Sequence, residues 1–494
     1  MSEPQSLGTR LQNFLSPVVY LSNNWTSRAG IFLVTAAGVS WLFLLPVIIQ
    51  GAPKDPYIGL LVVFALPVVF FTGLILIPIG IWFARRKKKK TEDAIPPAYR
   101  QISLDNPQVR QFLLFLLIAT AFNVVIGGQL TMHAVDYMEH DQFCGQTCHT
   151  PMQPEYTAYL RSNHAKVACT ECHVGEGAGA FIQSKISGTR QLALVVMGTY
   201  DRPIHSPVLS LRPASQICER CHWPNRFAGD KFLVRTHYAS DEQNTPATTV
   251  ALMRVGGRNW NGALGIHGQH SEAGGRMEYI ATDNRRQVIP QVTYTAPDGK
   301  VTVYKATDVK ATAKQLAAGE HRTMDCIDCH NRPAHVFELP EAAVDKRMLS
   351  GQISTNLPFV KKEAVEVLRR DYSDRNTAAR EIANALQGFY RTKYPQTDPA
   401  AVQRAIQAVQ ATYAGNVFPG MKVTWGTYPN NLGHMDAPGC FRCHDGNHAS
   451  SDGRKINDDC DVCHDLLATE ERDPKILKDL GTTLSLAGWA GALR

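Results

Sequence analysis

The chain has 494 residues, 44% hydrophobic and 19% charged, which is enough for two or three folded units of roughly 150 residues and too apolar for long disorder. Fifty-one basic and 44 acidic residues leave a net charge of +7, and six positive charges lie in the single run Arg85–Lys90. That leaves little of the dispersed basic surface that nucleic acid requires, so no nucleic-acid partner is expected.

Three uncharged apolar runs come first: Ala29–Gln50, Tyr57–Ala84 and Gln111–Met132. Each is long enough for a helix to cross about 30 Å of hydrocarbon, for which roughly 20 residues suffice. A mostly polar segment, residues 1–28, precedes the first run, so it reads as a retained anchor and not a cleaved leader. The connection 85–110 opens with Arg85-Arg86-Lys87-Lys88-Lys89-Lys90, whereas 51–56 holds only Lys54. The positive-inside rule puts the basic loop and the N-terminus in the cytoplasm, and the third span then emerges outside. Residues 29–132 are thus expected to be a three-helix membrane anchor, with everything after Met132 outside the cytoplasm.

All twelve cysteines follow residue 143. They read Cys144-x3-Cys148-His149, Cys169-x2-Cys172-His173, Cys218-x2-Cys221-His222, Cys326-x2-Cys329-His330, Cys440-x2-Cys443-His444 and Cys460-x2-Cys463-His464. Disulfides need no adjacent histidine, and structural zinc needs none at that fixed place. Covalent attachment of a c-type haem needs all three residues: two thiols add to the vinyl groups, and the next imidazole reaches the iron. Six haems are therefore expected.

Each iron then wants a second ligand. Removing six proximal histidines from seventeen leaves eleven, enough to close every iron as a six-coordinate electron-transfer centre. Spacing ranks His164 and His321 (each five residues before a motif), His434 (six before), and His335 and His448 (five and four after). His237, downstream of the third motif, joins them. His205, His267 and His270 rank lower. The first motif stands twelve residues beyond the third apolar run, where a lipid-soluble quinol would reach its haem. Met152 follows closely in His149-Thr-Pro-Met152 and is either a thioether ligand or a packing side chain.

The stretch Cys144–Pro207 resembles the NapC/NirT family of membrane-anchored, quinol-oxidising multihaem cytochromes. The resemblance rests on the anchor helix, Phe-Cys144…Cys148-His149-x2-Met152-x-Pro, Ser162-Asn-His164-x4-Cys169-x2-Cys172-His173-Val and Gly198-Thr-Tyr-Asp201. It implies a quinol site beside haem 1 with one basic and one acidic side chain. Lys185 or Arg190, and Asp201, fit those places. The chain departs from the family in its three apolar runs, its widened first motif, its six haem sites and a large insertion. The overall plan is similar to the inner-membrane multihaem cytochromes of metal-respiring bacteria.

The expected fold is a transmembrane anchor followed by a mainly α and irregular multihaem cytochrome c region with a small β insertion. Residues 133–235 should carry haems 1–3. Within 236–320, Gln291–Tyr304 alternates around Pro-Asp-Gly, a hairpin signature, and Met253–Val255 and Met277–Ala281 are expected partner strands. Haem 4 lies in 321–358. A solvated helical hairpin is expected in 359–415, from Phe359–Tyr394 and Pro399–Tyr413. Haems 5 and 6 follow in 416–494, with a short helix at Asp473–Asp479 and an apolar tail, Leu484–Leu493, expected to pack on its own domain.

The function expected is oxidation of menaquinol at the outer face and passage of electrons to a periplasmic acceptor, a small basic multihaem cytochrome, in anaerobic or extracellular respiration. Two alternatives stand beside it: a terminal reductase of nitrite or hydroxylamine, and a non-catalytic wiring subunit held by membrane partners.

Overall fold

A computed structural model describes residues 19–49, 65–91, 107–127, 140–147, 149–174, 186–208, 212–222, 229–257, 264–271 and 274–481, a few single positions excepted. The chain divides into two compact units, residues 1–144 with 168–198, and residues 145–167 with 199–494. The expected 133–235 module is thus shared between the two.

The first unit is helical. Helix α1 spans Trp25–Ile49, α2 Leu66–Thr91 and α3 Pro107–Phe122, which runs into a wider turn at Asn123–Gly127. Leu66–Lys87 is the stretch long and apolar enough to cross a membrane among the described residues, and the apolar stretch Val109–Val125 is shorter. Residues 57–64, 128 and 130–132 of these runs lie outside the described residues. Small residues let α1 and α2 touch: a Cβ on Gly30 would stand 2.6 Å from the Gly73 carbonyl, and one on Gly73 2.7 Å from that of Gly30. Such close approach drives helix association where lipid supplies no hydrophobic gain. Polar side chains lock the contact, Ser27 Oγ donating to the Ile77 carbonyl at 3.0 Å. Asn123 Nδ2 ties the third helix to the first through Thr35 Oγ1 at 3.0 Å and the Phe32 carbonyl at 3.3 Å.

The second unit begins with α4 (His149–Tyr159), and the short α5 (Cys169–His173) belongs to the first. A four-residue turn, α6, follows at Ala214–Ile217. Two antiparallel sheets come next. One is ordered β1(Lys231–Tyr238)–β2(Pro246–Met253)–β8(His464–Glu471). The other is ordered β6(Glu320–Thr323)–β3(Arg276–Ala281)–β4(Gln291–Thr295)–β5(Val301–Ala306)–β7(His448–Ala449). The hairpin expected around Pro-Asp-Gly is β4–β5, closed by Gly299 at φ +84°. Met277–Ala281 partners it as expected. Met253–Val255 does not: Met253 ends β2 in the other sheet, because β2 pairs along its whole length with β1. A short turn, α7 (Ile266–Gln269), links the sheets, and α8 (Ala313–Ala318) precedes β6.

The helices after the fourth motif, α9 (Cys326–Cys329), are α10 (Pro340–Leu349), α11 (Val360–Arg369), α12 (Arg375–Lys393) and α13 (Pro399–Asn416), and α14 (Lys475–Asp479) comes last. The continuous helix expected over Phe359–Tyr394 breaks at 370–374, where Asp374 accepts from the Thr377 amide at 2.9 Å and restarts it. Nor is this region chiefly a solvated hairpin. Val344, Val360, Leu368, Ile382, Leu386 and Val409 are almost fully buried there, in the largest core of the molecule. Asn244, at φ +50° in the β1–β2 turn, donates to the Thr355 and Leu357 carbonyls and accepts from the Lys361 amide. That left-handed asparagine fastens the first sheet to the helical core. The tail Leu484–Leu493 lies outside the described residues.

Candidate haem chain

The standard motifs are built on tight turns of the backbone. The His222 and His330 amides reach back to the Cys218 and Cys326 carbonyls at 2.8 Å, and His444 to Cys440 at 3.0 Å. In α9 the local cause is visible. Asp325 caps the turn by accepting from the Ile327 amide at 3.0 Å, while Asp328 accepts from the Asp325 amide at 2.8 Å. No disulfide joins the described cysteines.

Four proximal imidazoles face a second imidazole. Ring centres stand 5.9 Å apart for His164–His222, 6.3 Å for His267–His330, 5.8 Å for His270–His444 and 6.2 Å for His434–His464. Two metal–imidazole bonds of about 2 Å, with about 1 Å from each nitrogen to its ring centre, span about 6 Å. The residues present therefore fit an iron held between two imidazoles. Several rings are also oriented: Nδ1 of His267, His270 and His444 pairs with the carbonyls of Val255, Ile266 and Asn457 at 2.5, 2.8 and 2.6 Å. Donation there puts the lone pair on Nε2, the usual second-shell arrangement of a metal-bound histidine. Burial pushes the His270 and His330 imidazoles below their ordinary value, towards the neutral form that binds metal.

The other sequence-ranked histidines find other company. His237 on β1 has Nε2 3.0 Å from Glu470, and His321 Nε2 meets the Leu316 carbonyl at 3.1 Å. His448 is buried with both nitrogens engaged, Nδ1 to Asp445 at 2.9 Å and Nε2 to the Ile289 carbonyl at 2.7 Å. His335 Nδ1 meets the Glu155 carbonyl at 3.0 Å, beside the buried pair Arg332–Glu155 at 2.8 Å. His205 is exposed, with Nδ1 3.1 Å from the Pro207 carbonyl. Spacing along the chain thus promoted His237, His321, His335 and His448 over His267 and His270. The structure reverses that order because facing rings are set by tertiary approach.

Around the first two motifs, Cys169 lies beside Cys144, and its amide donates to Asp141 at 2.8 Å. Met152 is half-buried on α4, and His173 is exposed. Cys148 and Lys185 lie outside the described residues, as does the side chain of His149. Arg190 and Asp201 are both exposed.

A buried ion cluster braces motifs 4 and 5. The Asp328 carboxylate, inside Cys326-Ile-Asp-Cys329, accepts from Tyr279 OH at 2.6 Å and Arg322 Nε at 2.9 Å, and Arg286 Nη1 stands 3.9 Å away. Arg442, inside Cys440-Phe-Arg-Cys443, donates to the Asp328 carbonyl at 2.7 Å and to the Arg286 carbonyl at 2.8 Å. Sequence reading missed both residues; their only signal was a charge in the variable places of a haem-attachment motif.

The model of the NapC/NirT cytochrome c family, N-terminal region, matches residues 106–206. The cytochrome c-type protein ImcH of Geobacter sulfurreducens is 39% identical over 452 residues, 91% of this chain and 88% of that protein. The chain belongs to the NapC/NirT-type multihaem cytochromes. It is accordingly a membrane-associated c-type cytochrome of electron transfer, with covalently bound haem. No solved structure matches it.

Proposed function

We propose that the chain is a hexahaem quinol dehydrogenase anchored by three membrane helices, oxidising menaquinol at the periplasmic face and passing electrons to a soluble cytochrome. The observation that carries the electron-transfer part is the set of four facing imidazole pairs. An iron closed on both sides transfers electrons and binds no substrate, which argues against a terminal reductase at those four sites. The quinol part is supported by the family match, which takes in the third apolar helix, the first two motifs and Asp201.

When bound, the haems supply one-electron redox chemistry between ferric and ferrous iron. The chain's own residues do the rest. Cys144 and Cys148 would carry the first haem, in a motif twelve residues beyond the third apolar run. Oxidation of one quinol to quinone releases two electrons and two protons. A carboxylate such as Asp201 accepts a hydroxyl proton, and a cation such as Lys185 or Arg190 stabilises the charge left on the oxygen. The paired rings His164–His222, His267–His330, His270–His444 and His434–His464 would each hold a haem iron between two imidazoles, leaving no open position for water or another ligand.

The purified full-length protein in detergent should be reduced by a menaquinol analogue, read as growth of the ferrous haem α-band. Asp201→Asn should slow that reduction about 100- to 10,000-fold, the range of a lost proton acceptor, while chemical reduction by dithionite stays unchanged. Failure of the unaltered protein to be reduced by quinol would defeat the reading.

A further inference from the structure

The lone turn α7 carries two imidazoles three residues apart, and they face different motifs: His267 opposite His330 and His270 opposite His444. The turn is stitched to the end of β2. The Ile266, His267 and Gly268 amides donate in succession to the carbonyls of Arg254, Val255 and Gly256. Glycine is required for that approach, since a Cβ on Gly265 would collide with the Arg254 and Gly256 carbonyls and one on Gly268 with that of Gly257. The facing side is braced independently. Arg442 joins the fourth and fifth motifs by donating from one to the backbone of the other, and Asn431 Nδ2 adds a bond to the same Asp328 carbonyl at 3.2 Å. Two rings on a rigid turn therefore meet two rings on a clamped pair of loops.

We propose that His267 and His270 are the distal iron ligands of two different haems, those attached at Cys326/Cys329 and Cys440/Cys443, and that α7 with Arg442 binds these two haems into one fixed electron-transfer pair. The inserted β segment is then a ligand-bearing brace for the middle of the haem chain. Two rings on one turn keep their spacing when the protein breathes, so the separation of the two irons, on which electron tunnelling depends steeply, is held from both sides. The proposal rests on the haem chain described above and is independent of the quinol site.

The ring planes supply the test. His267 and His330 lie 14° from parallel, whereas His270 and His444 are inclined at 63°. Near-parallel axial imidazoles give low-spin ferric haem a rhombic electron paramagnetic resonance spectrum; strongly inclined ones give a single large g value. The full-length oxidised holoprotein is compared with His267→Gly and His270→Gly, haem content per chain being measured on each. His267→Gly should lose one rhombic signal, while the His434–His464 pair, inclined at 34°, keeps its own, and should gain a high-spin one. His270→Gly should lose one large-g signal. Added imidazole should restore each, a rescue that a structural defect does not show. His321→Gly should change nothing. If a glycine variant fails to load haem, His267→Met and His270→Met are read instead, each raising the midpoint potential of one haem, because a thioether ligand favours ferrous iron. Loss of the same signal from both variants, or loss from neither with haem content intact, overturns the proposal; unchanged quinol reduction does not bear on it.

Discussion

Lys361 is 4% exposed on α11, its ammonium 2.6 Å from the Glu341 carbonyl and 2.5 Å from Asp345 Oδ1. Burial pulls its pKa below the ordinary lysine value, and Asp345 opposes that pull only in part. A base with a lowered folded-state pKa binds its proton less tightly when folded than when unfolded. The cost of burying the charge is therefore fully present below the folded pKa and is relieved as pH rises through that value towards the unfolded one, about 10.4. Stability conferred by this site should rise with pH in that alkaline window. The difference in urea midpoint between the unaltered protein and Lys361→Met should shift in favour of the lysine between neutral pH and about pH 10; a difference that stays flat refutes the assignment. At this scale the chain was unevenly legible. Haem attachment was written in contiguous residues, because two thiols and an imidazole must share one turn. The facing imidazoles were legible only in part: spacing ranked His164 and His434, but not the proximal ring each one meets. His164 stands just before the second motif yet meets His222 of the third, and His330 meets His267 rather than its neighbours His321 or His335. Local spacing carries no record of which segment a ring will face.

Elements divide along the same line. The β4–β5 hairpin was legible because its turn chemistry and alternation are local. The strand His464–Glu471 was not: it lacks strict alternation, and it exists because β2, far upstream in the chain, offers it a free edge. The break between α11 and α12 depends on Asp374 capping a new start, and the helical periodicity on either side concealed it. The core under these helices was mistaken for a solvated surface because mixed charge occupies the outer faces, while Val360, Ala364, Leu368, Ile382 and Leu386 recur at helical spacing beneath. In the first unit, the crossing of α1 and α2 turns on Gly30 and Gly73, since a Cβ on either would stand within 2.7 Å of the other's carbonyl. Gly73→Ile should force the helices apart and cost about 1–3 kcal/mol, the range for overpacking a close contact. Gly38→Ala, with nothing within 4 Å of the new Cβ, is the control and should be close to neutral. The thermal midpoint of the haem-loaded protein in detergent checks both, and equal midpoints would exclude a tight crossing.

For the whole molecule, charge decides what the haem region attracts. Of the net +7, six positive charges belong to Arg85–Lys90, so the remainder of the polypeptide is nearly neutral despite a pI of about 8.7. The six haems proposed above would bring roughly twelve propionates, of which buried ones pair or stay protonated. The haem-loaded region would on this count be net acidic, the opposite of what the bare sequence indicates. An acidic donor surface steers a basic acceptor, and steering between exposed charges is long-ranged, raising encounter rates by orders of magnitude at low salt. The acceptor we propose on this ground is a small lysine-rich periplasmic cytochrome that meets this chain transiently. Electron transfer from the quinol-reduced protein to such a cytochrome, followed by stopped flow, should slow by about tenfold or more as ionic strength rises from roughly 0.01 to 0.3 M, where the Debye length shrinks from about 30 Å to below 10 Å. The acidic counterpart, a lysine-to-glutamate variant of the same acceptor, should react slowly and speed up with salt, since screening then removes repulsion. A rate independent of salt for both acceptors would exclude a diffusing partner recognised by charge and would point to an acceptor held permanently against the membrane anchor.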